Sequence, residues 1–134
     1  MTEEVDHPTI NDDDQLWRRI PDLPHMIKKL PDGTYRASSA AFKDGLDGEL
    51  SVHLAKLTTV EKAMAGHSEK GLAEIAANLP LSLDHSVVYD PTEDDHSHTV
   101  IIPPKNKSKK SRMRDAEEMA KAARWLVLPL SIRS

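Results

Sequence analysis

The chain has 134 residues, no cysteine, two tryptophans, two tyrosines, one phenylalanine and a formal net charge of −4 at pH 7. Its length suits one domain, and the lack of cysteine excludes a disulfide scaffold, a thiol nucleophile and cysteine-ligated metal sites. No window approaches the ~18 consecutive apolar residues of a membrane span, and the acidic start does not match a signal peptide, so we expect a cytoplasmic protein.

Little regular structure is expected in the first part of the chain. Residues 1–14 have few side chains to bury and are predicted to form a disordered acidic arm. Asp14 is placed to cap a short turn or helix over 15–20. Prolines interrupt residues 21–31, which are predicted to be irregular or a short extended piece. The Pro-Asp-Gly sequence at 31–33 predicts a turn, because proline presets φ and glycine accepts a positive φ.

The middle of the chain is predicted to contain one strand followed by two helical segments. Apolar and polar side chains alternate over 49–54, as they do in a half-buried strand. Thr58 and Glu61 have the spacing of a capping box, which predicts the start of a short helix. Residues 68–78 carry apolar side chains at helical spacing and predict a second helix, which a proline ends.

The last part of the chain is predicted to contain two strands and one longer helix. Residues 81–89, centred on 86–89, and the β-branched run 99–102 are predicted strands joined by a polar loop. Residues 111–126 predict an amphipathic helix, because apolar side chains recur at intervals of three and four. Together these elements predict one small α+β domain over 15–134, with a mostly antiparallel sheet of three to five short strands packed against two or three helices.

Carboxylates and imidazoles are concentrated in segment 90–98. Zinc and other divalent ions prefer such ligands, and His96 and His98 point to the same side if the segment is extended. A third ligand is missing nearby, because the other five histidines are scattered along the chain. We therefore predict a solvated polar loop, and neither a metal site nor a cofactor.

Arg36, Ser38 and Ser39 form a candidate site for an anion or another small ligand. Arginine makes bidentate contacts with anions, and serine hydroxyls donate hydrogen bonds to them. The catalytic alternative is a small hydrolase or transferase that uses these side chains with His98. The strained turn of a G-x-S-x-G nucleophile is missing, and serines in irregular segments also bond to local backbone, so no catalytic residue is predicted.

Basic side chains dominate the last quarter of the chain. Residues 104–134 carry nine bases and three acids, whereas residues 1–103 carry nine bases and nineteen acids. Six of the bases form a basic run over 105–114: Lys105, Lys107, Lys109, Lys110, Arg112 and Arg114. Such a run predicts a negatively charged partner, either a nucleic acid or an acidic protein surface. The pI near 5.9 argues against a dedicated nucleic-acid binder.

The C-terminal stretch 125–132 is the most apolar part of the chain, and it includes Trp125. We expect it to dock on the core as the final element, or alternatively to contact a second copy of the chain or a larger protein. Self-association or a protein partner is therefore expected, and no contact with a membrane.

Several short motifs resemble a group of small bacterial proteins without assigned activity. The motifs are Arg18-Arg19-Ile20-Pro21, Arg36-Ala37-Ser38-Ser39 with Phe42, Leu50-Ser51-Val52, and Asp90-Pro91 with His98. The resemblance covers about residues 15–104 and implies a bacterial or phage-like source and a compact stand-alone domain, but no reaction. Segment 94–97 departs from the short spacer of that group, which argues further against a metal site.

These features predict a non-enzymatic accessory or interaction protein that binds a larger protein, within a bacterial multi-gene system. The prediction depends on the absence of a convincing catalytic constellation, on the uneven charge distribution and on the apolar C-terminal stretch. The alternatives are association with nucleic acid through the basic run and the hydrolase or transferase described above.

Overall fold

The computed structural model describes residues 9–45 and 47–133. The strands in these ranges are β1 (Gln15–Ile20), β2 (Ile27–Lys29), β3 (Tyr35–Ala37), β4 (Leu50–Leu54), β5 (Gly71–Ala76), β6 (Ser86–Tyr89), β7 (His98–Ile102) and β8 (Arg124–Val127). The α-helices are α1 (Val60–Met64), α2 (Asn78–Ser82) and α3 (Lys109–Ala122). None of the helices in the described part of the chain combines the length and the apolar character of a membrane-spanning segment.

Six strands form one sheet in the order β6-β7-β4-β1-β5-β8, and every neighbouring pair is antiparallel. Strands β2 and β3 form a separate two-stranded sheet. The predicted α+β class with a mostly antiparallel sheet is therefore confirmed. The main sheet is larger than expected, because β1, β5 and β8 are strands that the sequence patterns did not indicate.

The hydrophobic core lies on one face of the main sheet. Leu16 and Ile20 occupy alternate positions of β1, and they belong to one buried cluster with Phe42 and Met119. Phe42 comes from a 3-10 turn that packs against α3, and Met119 belongs to the buried side of that helix. Trp17 and Arg19 point to the opposite face of the sheet, whereas Arg18 lies on the core face, where its Nε donates to the Ala41 carbonyl oxygen.

Strand β1 replaces the short turn or helix that was predicted over 15–20. Asp14 does not cap a helix; its carboxylate accepts a hydrogen bond from the Asn11 N–H at 2.7 Å, in a turn that precedes the strand. Strand β1 lies between β4 and β5 in the sheet and pairs with both. Pairing on both sides outweighs the weak local preference of this segment for a turn or helix.

The helix predicted over 68–78 is wrong, because this segment contains β5. Five of the six residues of β5 are buried, so apolar side chains occupy both faces of the strand and no polar alternation marks it. Pro80 does not end a helix either. It lies in the first turn of α2, where a missing N–H is tolerated.

The predicted helix ends also differ from the observed ones. Helix α1 is capped by the Thr59 hydroxyl, one residue after the predicted Thr58. Helix α3 begins two residues before the predicted helix over 111–126 and ends four residues before its end. The earlier start follows from Ser108, whose hydroxyl accepts a hydrogen bond from the first turn. Residues 124–126 of the predicted helix belong to β8, which pairs with β5.

Residues 9–14 are the described part of the predicted acidic arm, whereas residues 1–8 lie outside the described residues. The Lys56 ammonium lies 2.7 Å from the Thr9 carbonyl oxygen and 2.9 Å from a carboxylate oxygen of Asp14. Residues 9–14 are thereby held against the turn that follows β4.

Candidate functional site

A cleft of about 590 Å³ opens on the polar face of the sheet, opposite the face that carries the core. Strands β1 and β4 contribute Arg19 and His53 to its wall, and α1 contributes Ala63. The loop before β7 contributes residues 93–97, and the turn after α1 contributes His67. The cleft therefore joins segments that are distant in the sequence.

His53 is a buried side chain of the cleft, and only 8% of the side chain is exposed. Its Nδ1 lies 2.8 Å from Asp95 Oδ2 and 3.2 Å from Ser97 Oγ. A carboxylate only accepts, so we assign the proton of the neutral ring to Nδ1. This tautomer leaves a lone pair on Nε2, with which none of the described residues forms a hydrogen bond.

Asp95 is fixed by the residues that follow it. Its Oδ1 accepts hydrogen bonds from the Ser97 N–H at 3.0 Å and from the Ser97 hydroxyl at 2.5 Å. Burial acts to raise the pKa of Asp95, but these hydrogen bonds and the nearby His53 outweigh burial and lower that pKa. Asp95 is therefore ionised at neutral pH. Because Ser97 is buried and its hydroxyl donates to Asp95, Ser97 orients the carboxylate.

Burial also lowers the pKa of two imidazoles in the cleft, those of His53 and His67. Burial lowers the pKa of His53 from its usual 6.5, the Asp95 charge opposes this effect, and the Arg19 charge adds to it. The pKa of His67 is lowered by burial and by the charges of Arg19 and Lys70. Both rings are therefore mainly neutral at pH 7, and an added negative charge would favour their protonation.

Arg19 supplies a positive charge to the wall of the cleft. Its Nη1 donates to the Ala63 carbonyl oxygen at 2.8 Å, and no carboxylate of the described residues forms an ion pair with it. Glu93 and Asp94 also line the cleft, but both are exposed. Neither contributes to the pKa shift of His53 or His67. The inner wall therefore holds the Arg19 cation and the ionised Asp95, which is paired with His53, whereas Glu93 and Asp94 lie at the exposed rim.

In the structure, the side chains of the predicted anion site, Arg36, Ser38 and Ser39, do not converge on a common ligand position. Arg36 pairs with Glu117 on α3 at 2.9 Å, and the Ser38 hydroxyl donates to the His25 carbonyl oxygen. Ser39 begins the 3-10 turn that leads to Phe42. No hydrogen bond or ion pair between described residues joins this group to His98.

His98 lies instead beside the cleft. It is the cross-strand partner of His53 in the pairing of β7 with β4. Its Nδ1 lies 2.8 Å from the Asp90 carbonyl oxygen and its Nε2 lies 3.3 Å from Ser51 Oγ. Both ring nitrogens thus have partners, and His98 acts on the cleft mainly through its proximity to His53.

The basic run divides into two groups. The Lys107 ammonium is 2.5 Å from Asp115, and Arg112 is 3.2 Å from Asp44, so these two side chains hold α3 to the rest of the domain. The other four are exposed and form no ion pair with a described residue. We call them the exposed basic set: Lys105, Lys109, Lys110 and Arg114.

Trp125 belongs to the docked C-terminal segment. Its indole N–H donates to the Tyr35 carbonyl oxygen at 3.2 Å, and it packs against the core cluster. Leu128 and Leu130 follow it and remain exposed. The segment is thus partly buried against the domain, and the two leucines are its outward apolar side chains.

Segment 90–98 contributes to the cleft without forming a ligand cluster. His96 lines the cleft and His98 turns to Asp90 and Ser51. Across residues 9–45 and 47–133, no group of three or more His, Asp or Glu side chains is arranged to hold a metal ion.

Sequence reasoning missed Arg19, His53 and His67 as site residues. His53 had a usable signal, because the alternation over 49–54 already places it on the polar face of a strand. No sequence signal indicates that His53 lies close to Asp95, since this proximity depends on the pairing of β4 with β7. Arg19 was hidden for the same reason, because β1 was not predicted to be a strand.

Comparison with other proteins adds no assignment to this geometry. No family model, curated protein or solved structure gives a significant match to the chain. The resemblance of residues 15–104 to small bacterial proteins therefore stays a prediction, and function is argued from the cleft itself.

Proposed function

We propose that this domain binds a small molecule with a phosphate or carboxylate group in the cleft. The observation that carries the proposal is the Arg19 guanidinium, which has no acidic partner among the described residues and shares the inner wall with two imidazoles. A guanidinium matches the geometry of a phosphate or carboxylate and forms paired hydrogen bonds with it. The volume of about 590 Å³ also lies within the range of small-molecule sites.

The imidazoles add to the expected affinity. His53 and His67 are held mainly neutral by burial and by the Arg19 charge. A bound anion would offset the Arg19 charge and allow either ring to take up a proton and donate to the ligand. Binding is therefore expected to strengthen as the pH falls from 8 towards 6.

Titration with inorganic phosphate and with acetate, followed by NMR of backbone amides and histidine rings, tests the proposal. We expect saturable shifts at Arg19, His53 and His67. Arg19→Gln is expected to weaken phosphate binding about 10-fold or more, because a charge-assisted pair is lost. Arg114→Gln is the matched control, since it removes one unpaired arginine from the exposed basic set. Equal loss in both variants, or no saturable shift, contradicts the proposal.

A second candidate function concerns the exposed basic set. Its four cations are exposed and form no ion pair with a described residue, which supports docking on an acidic protein surface. In this proposal the chain is an accessory protein in the cytoplasm of a bacterium and one component of a multi-gene system. Several like charges on one part of a surface attract an oppositely charged partner and speed its association. The same cations suit nucleic-acid phosphates, which is the alternative partner.

Fluorescence anisotropy with a labelled polyglutamate peptide and with a labelled DNA duplex separates these partners. The double variant Lys109→Glu/Lys110→Glu is expected to lose peptide binding, whereas Lys28→Glu/Lys29→Glu keeps it, because that exposed pair lies on β2. Tighter, strongly salt-dependent binding of the duplex favours nucleic acid. If neither the peptide nor the duplex binds, this candidate function is excluded.

A further inference from the structure

An imidazole that is held by a carboxylate on one nitrogen and unpaired on the other has the arrangement of a general base. In His53 the carboxylate of Asp95 fixes the ring and its tautomer through Nδ1, at 2.8 Å. Nε2 has no partner among the described residues, and the ring lines the cleft. A base is effective when it is oriented and unprotonated at the working pH.

The surroundings of His53 keep it available for proton transfer. The charged and titratable groups that act on the ring are Asp95 from the loop before β7, Arg19 from β1 and His98 from β7. Asp95 favours protonation, whereas Arg19 and His98 oppose it. Burial is the largest effect and favours the neutral ring.

The serine of the cleft does not supply the attacking oxygen. Ser97 is 1% exposed, and its hydroxyl already donates to Asp95. The attacking hydroxyl is therefore assigned to the ligand or to water. Arg19 lies on the same wall and is suited to stabilise negative charge that develops on phosphoryl oxygens.

We infer that His53 is the general base in the cleavage of a small phosphodiester whose phosphate is held by Arg19. This inference rests on the proposed binding of an anion in the cleft. Nε2 removes the proton from a hydroxyl, whose oxygen attacks phosphorus and forms a new P–O bond. The bond from phosphorus to the leaving oxygen breaks, and the leaving oxygen takes a proton from solvent. His53 then returns its proton to solvent, so no oxidant or further reactant is consumed.

Asp95 is a positioning residue in this scheme. It holds the Nδ1–H tautomer and partly offsets the effects that make His53 a weaker base. Removing its charge is therefore expected to lower the pKa of His53 further. Glu93 lines the same cleft but does not contribute to the pKa shift of His53, so its removal offers a comparison of equal charge.

The test uses the full chain and two chromogenic probes, uridine 3′-(4-nitrophenyl phosphate) and thymidine 3′-(4-nitrophenyl phosphate). Release of 4-nitrophenolate from the first probe alone identifies the adjacent ligand hydroxyl as the nucleophile. Release from both identifies water. Release from neither overturns the inference. Saturable binding of inorganic phosphate, measured in parallel, leaves the proposed function standing in that case, whereas its absence removes both proposals.

Variants of the dyad assign the role of each residue. His53→Asn keeps a donor towards Asp95 but removes the base, and we expect kcat/KM to fall about 100-fold or more. His25→Asn changes an exposed histidine outside the cleft and is expected to have no effect. Full activity in His53→Asn overturns the inference.

The pH profile tests the same assignment even if His53→Asn does not fold. Activity of the unchanged chain must rise with pH along an acid limb centred below 6.5, because the unprotonated ring is the active form. Asp95→Asn is expected to move that limb to lower pH, and Glu93→Gln is expected to leave it in place. A limb that does not move in Asp95→Asn contradicts the role of Asp95.

Discussion

Buried ionisable side chains in this domain are held in small networks, and the clearest example joins Asp115, Lys107 and His85. Asp115 Oδ2 is 2.5 Å from the Lys107 ammonium and 2.7 Å from His85 Nε2. Burial acts to raise the pKa of Asp115, but hydrogen bonds from Lys107 and His85 outweigh that effect and lower it. The carboxylate therefore stays ionised and satisfies two donors at once.

The network makes Asp115 a sensitive position for stability. Asp115→Ala would leave an ammonium and a buried imidazole without their shared acceptor, and we expect the free energy of unfolding to fall by about 3 kcal/mol. Glu118→Ala is the control on the same helix, because its carboxylate is exposed and 3.8 Å from Lys121. That change should cost no more than about 0.5 kcal/mol. Urea denaturation measures both, and equal effects would show that the network contributes little.

At the scale of elements, alternation and β-branching predicted β4 and β7 correctly, but β5 and β1 were missed. The apolar spacing of 68–78 fits a helix only because β5 buries side chains on both faces. Pairing with neighbouring strands determines the secondary structure of this segment, and a local sequence pattern contains no information about that pairing. The same limit applies to the cleft, since His53 and Asp95 meet only when β4 pairs with β7.

The C-terminal segment that includes β8 packs closely against β5 at Gly71. A Cβ added to Gly71 on β5 would lie 2.7 Å from Pro129 and 2.8 Å from the Trp125 ring. Glycine therefore allows the C-terminal segment to lie directly on β5. This contact was not predictable, because Gly71 is 54 residues away from Trp125 in the chain.

Gly71→Ala is expected to push the C-terminal segment away from β5 and to lower the free energy of unfolding by about 2 kcal/mol. The emission of Trp125 should shift towards that of a more exposed indole. The double variant Gly71→Ala/Pro129→Ala provides the check, because removal of the proline ring opens space for the added methyl. If Gly71→Ala costs as much in the Pro129→Ala background as it does alone, the contact with Pro129 does not account for the loss of stability.

At the scale of the whole molecule, part of the charge contrast between the acidic and basic parts of the sequence is neutralised within the fold. Arg112 pairs with Asp44, and Arg36 pairs with Glu117, so each part supplies both signs to the contacts that fix α3. The exposed basic set is what remains for a partner. Two of the six bases of the basic run are used in ion pairs within the fold, so the sequence alone overstated the positive charge that is free to bind a partner.

The shifted pKa values also set how stability depends on pH. His53 and His67 have folded-state pKa values below 6.5, so the unfolded chain binds more protons as the pH falls below that value. Asp95 and Asp115 have folded-state pKa values below 3.8, so the unfolded chain again binds more protons below that value. Both effects have the same sign, and stability is lost in two stages on acidification.

We therefore expect the free energy of unfolding, measured by urea denaturation between pH 8 and pH 3, to be nearly constant above pH 7. It should decline first below about pH 6.5, as protonation of the two histidines favours the unfolded chain. A steeper decline should follow below 3.8, where the paired carboxylates are protonated. The double variant His53→Asn/His67→Asn should lack the first decline and keep the second, because it removes the imidazoles and leaves the carboxylates. An unchanged first decline in that variant would assign it to other groups and would remove the burial argument for the cleft histidines.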